Sequence, residues 1–211
     1  YNSAYLYRPD GTRAPGRYDK IHLVLFGEYI PFKNAFPWLF EQLKRFLPEG
    51  FDPNYSLEHG RNYTIFEMAP PDSNDLQSSP RSAPPVRRFA VIICYEDTVP
   101  YVARNFALDE QGRKRIDWLV NISNDGRFVR FPQDPPRVIP SAELPQHAAI
   151  CVFRAVENRL PILRSVNTGI SCLIESTGRI RDGYLAAEDG FPSETMDRTG
   201  LAGWFLDRMP I

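Results

Sequence analysis

The amino-acid sequence predicts an α/β domain in which helices pack against a β-sheet. Residues 89–93 (FAVII) form a continuous apolar run of strand length, as expected for a strand that is buried on both faces. Residues 141–158 instead carry apolar side chains at helical spacing. Because strand-like and helix-like segments alternate along the chain, with antiparallel hairpins between them, the pattern favours helices layered on a sheet.

The predicted elements of the first half lie between short turns. In order, they are strands at residues 2–7 and 21–26, a helix at residues 38–47 and a strand at residues 63–68. Pro37 and Pro48 suit the two ends of the helix. Residues 69–85 are rich in Pro, Ser and Asp and are predicted to form an exposed loop.

The second half has a more regular alternation. Its predicted strands are residues 89–93, 116–122, 162–166, 171–175 and from 179 onward, and its helices are residues 100–108 and 141–158. Ser141 is a candidate N-cap of the long helix. Residues 128–140 hold four prolines and are predicted to be a loop. Residues 186–211 are interpreted as a C-terminal extension.

Composition excludes several classes of function. The 211 residues carry 25 basic and 26 acidic side chains, a net charge of −1, which argues against a polybasic nucleic-acid binder. No apolar run approaches the ~20 residues of a membrane-spanning helix. The three cysteines form no CxxC pair and the three histidines lie far apart, which argues against a zinc enzyme and leaves carboxylate-rich metal sites open. We assign no metal ligands and expect no cofactor. The chain opens on a strand-like segment without Met, and we expect it to be a piece of a longer protein.

Several polar groups follow buried strands, where sites collect in α/β sheets. Cys94 comes directly after the FAVII run, and the N–H groups of a following helix would favour its thiolate. Lys20 and Glu28 flank the apolar run IHLVLF, and Glu96 lies two residues after Cys94. A carboxylate can take a thiol proton and a lysine can stabilise an oxyanion, so a Cys–Glu–Lys acyl-transfer site without histidine is possible.

Each of these residues also has a purely structural interpretation. A cysteine at a strand end is often a small buried apolar residue, and Cys151 and Cys172 are both interpreted as core. Lys20 alone would be a solvated surface charge, and the carboxylates could form weak surface ion pairs. The polar residues after the 116–122 strand could be turn chemistry: Asn121, Asn124 and Asp125.

Four segments resemble the nitrilase, or carbon–nitrogen hydrolase, superfamily, in family order over about residues 1–185. They are YDKIHLVLFGEYIP (18–31), VIICYED (91–97), NISNDGRF (121–128) and QHAAICVFRAVENRLPILRSVNTGISCLIESTGRI (146–180). Within it, HLVLFGEYIP and RAVENRLPILRSVNTGIS look most like the apolipoprotein N-acyltransferases of bacterial envelopes. Their usual HLVPFGEY differs here at Leu25, and their usual Trp after the SND motif is replaced by Arg127.

The resemblance implies the αββα sandwich of nitrilases, as a single partial domain over residues 1–211 that lacks the first strand and helix. Cys94 would be the nucleophile and Lys20 the lysine of a catalytic triad. The triad's general-base glutamate would precede Tyr1, so these residues alone would be inactive. Glu28 would be a further carboxylate that orients the lysine. The residues expected to line the substrate pocket are Tyr95, Glu96, Asn124 and Asn167.

The implied reaction moves a fatty acyl group from a phospholipid, through a Cys94 thioester, to the N-terminal amine of a lipidated apolipoprotein. The implied location is the bacterial inner membrane, with this domain facing the periplasm and attached through helices outside it. The expected partners are therefore the phospholipid, the apolipoprotein and the membrane, without nucleic acid. Two alternatives remain open: a soluble nitrilase-type amidase or carbamoylase, and a non-catalytic domain that keeps the fold for binding.

Overall fold

A computed structural model describes residues 1–30, 36–43, 45, 56–68, 86–130 and 139–185. The chain divides into two compact units, residues 1–62 and residues 63–211. The predicted loop at 69–85 and the extension at 186–211 lie outside the described residues. Within the described ranges, no helix combines the length and apolarity needed to cross a bilayer.

In the described residues of the first unit, the structure has a short antiparallel ladder and a helix. Strand β1 (Ser3–Ala4) pairs with β2 (Tyr18–Asp19), and α1 spans Pro37–Leu43. The predicted strand at residues 2–7 is therefore wrong in length, because only two of its residues join the ladder. The helix begins where the proline predicted, and most of its predicted continuation to residue 47 lies outside the described residues.

The predicted strand at residues 21–26 is wrong, because this segment ends in a tight turn. The Val24 carbonyl accepts hydrogen bonds from the N–H groups of Gly27 and Glu28, and Phe26 adopts a left-handed φ of 59°. The Glu28 carboxylate also accepts the Val24 N–H at 2.9 Å. These local bonds use the backbone groups that a strand would need for pairing. An apolar run alone does not reveal this competition.

The second unit is built on a six-stranded sheet. In chain order its elements are β3 (Phe66–Met68), β4 (Arg87–Ile93), α2 (Pro100–Ala107), β5 (Trp118–Ser123), β6 (Val129–Arg130), β7 (Ile139–Pro140), α3 (Glu143–Asn158), β8 (Ile162–Val166), β9 (Ile170–Ile174) and β10 (Ile180–Leu185). The strand order is β10-β9-β8-β5-β4-β3, with β4, β5 and β8 parallel and the outer strands antiparallel. The predicted strands and helices after residue 86 are confirmed, with ends shifted by at most two residues.

The three parallel strands form the centre of this sheet and position its polar edge. All five residues of the 89–93 run are buried, as the continuous apolar pattern predicted. Helices α2 and α3 contact each other and pack on the central strands, α2 on β4 and α3 on β8 and β9. The connections from β4 to β5 and from β5 to β8 therefore place α2 and α3 on the same face of the sheet. The carboxyl ends of β4, β5 and β8 meet at one edge of the sheet.

Two details of the long helix and the segment before it differ from the prediction. The N-cap of α3 is Ala142 rather than Ser141, although the Ser141 hydroxyl accepts the Glu143 N–H at 3.3 Å. The predicted loop at residues 128–140 contains, in its described part, the antiparallel pair β6–β7. Pro140 can join it because a two-residue ladder has edges where the missing N–H is tolerated.

Candidate active site

Cys94 lies at the carboxyl end of β4 and is partly exposed. Its backbone is left-handed, with φ of 51°, which is costly for a residue with a Cβ atom. It is the first residue of a 3₁₀ turn, Cys94–Thr98, that leads into α2. This strand–turn–helix arrangement lifts the thiol out of the sheet at the edge where the central strands end.

The residues that follow Cys94 divide into one exposed and one buried side chain. Tyr95 is exposed, at 44% of its surface, and its predicted place in the pocket stays a prediction. Glu96 is fully buried, and its carboxylate accepts the Ile93 N–H at 2.8 Å. Glu96 thus closes the turn around Cys94. Its predicted role in contacting substrate stays a prediction.

Asn124 and Asn167 lie together at the ends of the neighbouring strands β5 and β8. The Asn167 amide donates to Asn124 Oδ1 at 2.8 Å, and its own Oδ1 accepts the Asp125 N–H at 3.0 Å. Asn124 Oδ1 also accepts the Gly126 N–H at 3.1 Å. These bonds fix the two loops beside each other on the same sheet edge as Cys94.

Lys20 and Glu28 form an ion pair within the first unit. Lys20 directly follows β2 and is fully buried, so the interpretation as a solvated surface charge is wrong. Its Nζ donates to Glu28 Oε2 at 2.7 Å. Glu28 is further held by the Val24 N–H at 2.9 Å and the Asn2 amide at 3.2 Å. A buried ammonium is stable here because the carboxylate that faces it is itself fixed.

The structure therefore brings the predicted site residues together in three groups. Lys20 and Glu28 are paired in the first unit, while Cys94 with its turn and the two asparagines share one sheet edge in the second. That Lys20 faces Cys94 in a triad stays a prediction.

A buried charged cluster behind this edge was missed by the sequence reasoning. Its members are Asp97, Asp125, His147 and Arg164, all buried in the second unit. His147 places Nε2 at 3.0 Å from Asp97 Oδ1 and Nδ1 at 3.0 Å from Asp125 Oδ1. Arg164 donates to Asp97 Oδ2 at 3.0 Å and to Asp125 Oδ2 at 2.9 Å.

The cluster controls the protonation of its own members. Burial lowers the pKa of His147, but hydrogen bonds to Asp125 and Asp97 outweigh it and raise the pKa to about 9. For Asp125, burial raises the pKa. The hydrogen bonds from His147 and Ser123 and the charge of Arg164 outweigh this and hold the pKa below its ordinary value. His147 is therefore a cation at neutral pH and both carboxylates face positive charge.

One signal in the sequence could have revealed this cluster. Arg164 stands in the middle of the buried strand ILRSV, where an unpaired charge is not tolerated, so carboxylate partners had to exist. The predicted apolar stripe of α3 did not reveal His147, because hydropathy treats it as polar. The observed buried face is instead described by its spacing of three and four residues: Leu144, His147, Ala148, Cys151, Arg154, Ala155 and Asn158.

The other two cysteines are core residues, as predicted. Cys151 and Cys172 are buried on α3 and β9. Burial raises the pKa of the Cys151 thiol well above its ordinary value, and that of Cys172 to about 11. Both thiols are therefore neutral, and Cys94 is the more exposed candidate nucleophile.

Comparison with known proteins identifies the family of this chain. Residues 1–190 match the family model described as carbon-nitrogen hydrolase. The chain belongs to the carbon–nitrogen hydrolase family. Two solved members share its fold: a CN-hydrolase superfamily protein from Xanthomonas campestris and a carbon-nitrogen hydrolase from Helicobacter pylori. The first has a TM-score of 0.52 and 17% identity and covers 100% of this chain and 64% of that one. The second has a TM-score of 0.51 and 16% identity and covers 99% and 62%. The predicted nitrilase-like α/β fold is thereby confirmed.

Curated relatives of this carbon–nitrogen hydrolase domain carry the name apolipoprotein N-acyltransferase, which confirms the resemblance. One from Geobacter metallireducens is 33% identical over 183 residues, which is 85% of this chain and 27% of the relative. One from Rhodopseudomonas palustris is 32% identical over 201 residues, which is 95% of this chain and 30% of the relative. The chain thus spans between a quarter and a third of the length of these relatives.

Proposed function

We propose that the protein containing this domain is an apolipoprotein N-acyltransferase and that Cys94 is its nucleophile. The observation that carries the proposal is the partly exposed Cys94 in a left-handed turn at the carboxyl end of a buried parallel strand. A left-handed residue with a Cβ atom persists where surrounding structure enforces it, and such positions cluster at functional sites. Relatives with the same enzyme name supply the reaction class.

The first step of the proposed reaction forms a thioester. The Cys94 sulfur attacks the ester carbonyl of a phospholipid, the bond from carbonyl carbon to alcohol oxygen breaks, and the lysophospholipid leaves with the proton taken from the thiol. The base that moves this proton is the family's glutamate, which the resemblance places before Tyr1. Lys20 and the N–H of Tyr95 would stabilise the oxyanion.

The second step transfers the acyl group. The α-amine of the lipidated N-terminal cysteine of an apolipoprotein attacks the thioester, the amide forms and the Cys94 thiol is regenerated with a proton from the amine. Thioesters react readily with amines, so the site must exclude water rather than activate the acceptor strongly. The exposed Tyr95 and the paired Asn124 and Asn167 are proposed to line this pocket.

The proposed substrates set the proposed location. A phospholipid donor and a lipidated acceptor both reside in a bilayer, so the domain would work at the bacterial inner membrane and face the periplasm. Membrane attachment would then come from parts of the protein outside these 211 residues.

Intact-mass analysis of the full-length protein mixed with phospholipid tests the proposal. We expect an added acyl mass in the wild type and in Cys172→Ala, whose thiol is buried, but not in Cys94→Ala. An adduct that persists in Cys94→Ala would contradict the assignment. Release of free fatty acid from the wild type, with no amide formed when a lipidated apolipoprotein is present, would favour the hydrolytic alternative.

A further inference from the structure

We propose that the buried cluster of Asp97, Asp125, His147 and Arg164 is a positioning device that holds Cys94 in its left-handed turn. None of the four is proposed to touch the acyl group. The inference deepens the proposed function, on which it rests only in taking Cys94 as the reactive thiol. Its support is a set of contacts that lie entirely within the second unit.

Two connections join the cluster to Cys94. The first is covalent, since Asp97 lies three residues after Cys94 on the same 3₁₀ turn. The second runs through Asn121 on β5, whose Oδ1 accepts from Arg164 and whose amide donates to the Cys94 carbonyl at 3.4 Å. The turn is therefore held at Cys94 and at Asp97, and both connections lead to the Arg164 guanidinium.

The Asp97 end of the turn is held by side chains from α3 and β8. Its carboxylate accepts from His147, from Arg164 and from the Cys151 thiol at 3.2 Å. Arg154 donates to its backbone carbonyl at 3.3 Å. These partners come from two different elements, α3 and β8, so the turn cannot shift without breaking bonds to both. Left-handed backbone at Cys94 needs this kind of external restraint.

The same cluster extends to the loop that carries Asn124. Asp125 accepts from the Ser123 hydroxyl at 2.6 Å and faces both His147 and Arg164. The loops after β4 and β5 therefore share one set of charged partners. A change in the cluster should move the nucleophile and the proposed pocket together.

The geometry suits the charged form of His147. Each ring nitrogen lies 3.0 Å from a carboxylate oxygen, and the imidazolium, which the raised pKa of about 9 favours at neutral pH, can donate from both. The charged or titratable groups around it are Asp97 on the turn, Asp125 after β5, Arg164 on β8, and Cys151 and Arg154 on its own helix. The negative charges of the two carboxylates are then balanced by two positive groups, the His147 imidazolium and the Arg164 guanidinium. Loss of the His147 proton would leave one carboxylate uncompensated.

Alkylation of the three cysteines by iodoacetamide, followed by mass spectrometry of the native full-length protein, tests the inference. In the wild type at neutral pH, Cys94 should react first, while Cys151 and Cys172 stay protected. In His147→Gln and Asp97→Asn, we expect the Cys94 rate to fall about tenfold or more, because a displaced turn loses its oriented donors. The matched control is Ser171→Ala, which removes a buried hydroxyl bonded only to Val166 among the described residues.

The protected thiols separate positioning from stability. Positioning predicts that Cys172 remains protected in both variants while Cys94 slows. A rise in Cys172 labelling in step with the Cys94 change would show a merely structural role and would overturn the inference. Cys94 rates within twofold of the wild type in both variants would overturn it as well.

A measurement on the unmodified protein covers the case in which the variants do not fold. The Cys94 alkylation rate of the wild type should fall as pH rises through about 9, where His147 loses its proton and the turn loses this restraint. A rate that only rises to pH 10 would contradict the inference. Failure of the wild type to form an acyl adduct with phospholipid would instead overturn the proposed function, and the alkylation rates would still decide the role of the cluster.

Discussion

At the residue scale, His147 links the stability of this protein to pH. Its two ring nitrogens bridge Asp97 and Asp125, which are both fully buried. Removing the proton therefore affects two carboxylates at once. A single imidazole in this position couples the loop after β4 to the loop after β5.

We predict that the free energy of unfolding falls as pH rises from about 6.5 to 9. The folded pKa of His147, about 9, lies above its ordinary value of 6.5, so its contribution is fully present below pH 6.5 and is lost as pH rises through 9. The full shift corresponds to about 3 kcal/mol. Urea unfolding at pH 6.5, 7.5 and 9.5 measures it, and His147→Gln serves as the control that should lose most of the slope.

A pH-independent unfolding free energy across this window in the wild type would show that folding does not raise the pKa of His147. If the free energy of unfolding is independent of pH in both the wild type and His147→Gln, the charged form of His147 does not stabilise the fold.

At the scale of elements, the parallel strands β4, β5 and β8 bring the polar loops to one edge. The register pairs Ile93 with Ile122 and Ser123 with Val166, so the strands end in step and their loops emerge side by side. The connection from β8 to β9 then returns across the cluster. Gly169 in this connection lies against Asp125, where a Cβ atom would be 2.3 Å from Asp125 Oδ2.

We predict that Gly169→Ala destabilises the protein by about 1–3 kcal/mol, because the added methyl group must displace a carboxylate that is held by Arg164 and His147. Chemical denaturation measures the loss. The comparison variant is Gly126→Ala, where the nearest atom is the exposed Asn124 side chain at 3.0 Å, and we expect a smaller effect. Equal costs for the two substitutions would mean that Asp125 can move freely.

At the scale of the whole molecule, the predicted catalytic groups belong to two units. Lys20 and Glu28 form their ion pair in the first unit, and Cys94 lies on the sheet edge of the second. Each group is fixed by contacts inside its own unit. The proposed reaction needs both groups, so its rate depends on both units, while the His147 titration reports on the second unit alone.

We predict that Lys20→Met lowers the rate of thioester formation in the full-length protein by about 10²-fold or more, as expected for the loss of an oxyanion donor. The Glu28 carboxylate keeps the Val24 N–H and the Asn2 amide as partners, so the turn should persist. Timed intact-mass analysis with phospholipid measures the rate. Arg17→Met, which removes a half-exposed cation from the same unit, is the control and should leave the rate unchanged. An undiminished rate in Lys20→Met would remove Lys20 from the proposed mechanism.

Several features were determined by the sequence alone. The FAVII run predicted the buried strand β4, and helical spacing predicted α3, because burial of a periodic apolar pattern is a local property of the chain. The position of Cys94 after a predicted strand placed it at the sheet edge, since the ends of parallel strands share an edge. The resemblance, not the strand pattern, supplied Asn124 and Asn167 as predicted pocket residues. The resemblance in segment order gave the family before any contact was known.

Only the tertiary structure decided the rest, since the deciding contacts join residues that are distant in sequence. Asp97 lies 50 residues before His147 and 67 before Arg164, and no local pattern records such a pair. The apolar run at residues 21–26 was predicted to be a strand, but the turn that carries Glu28 takes up its backbone bonds. Hydropathy measures whether a side chain avoids water. It does not say which buried charge will find a partner, and here those partners contact the turn that begins at Cys94.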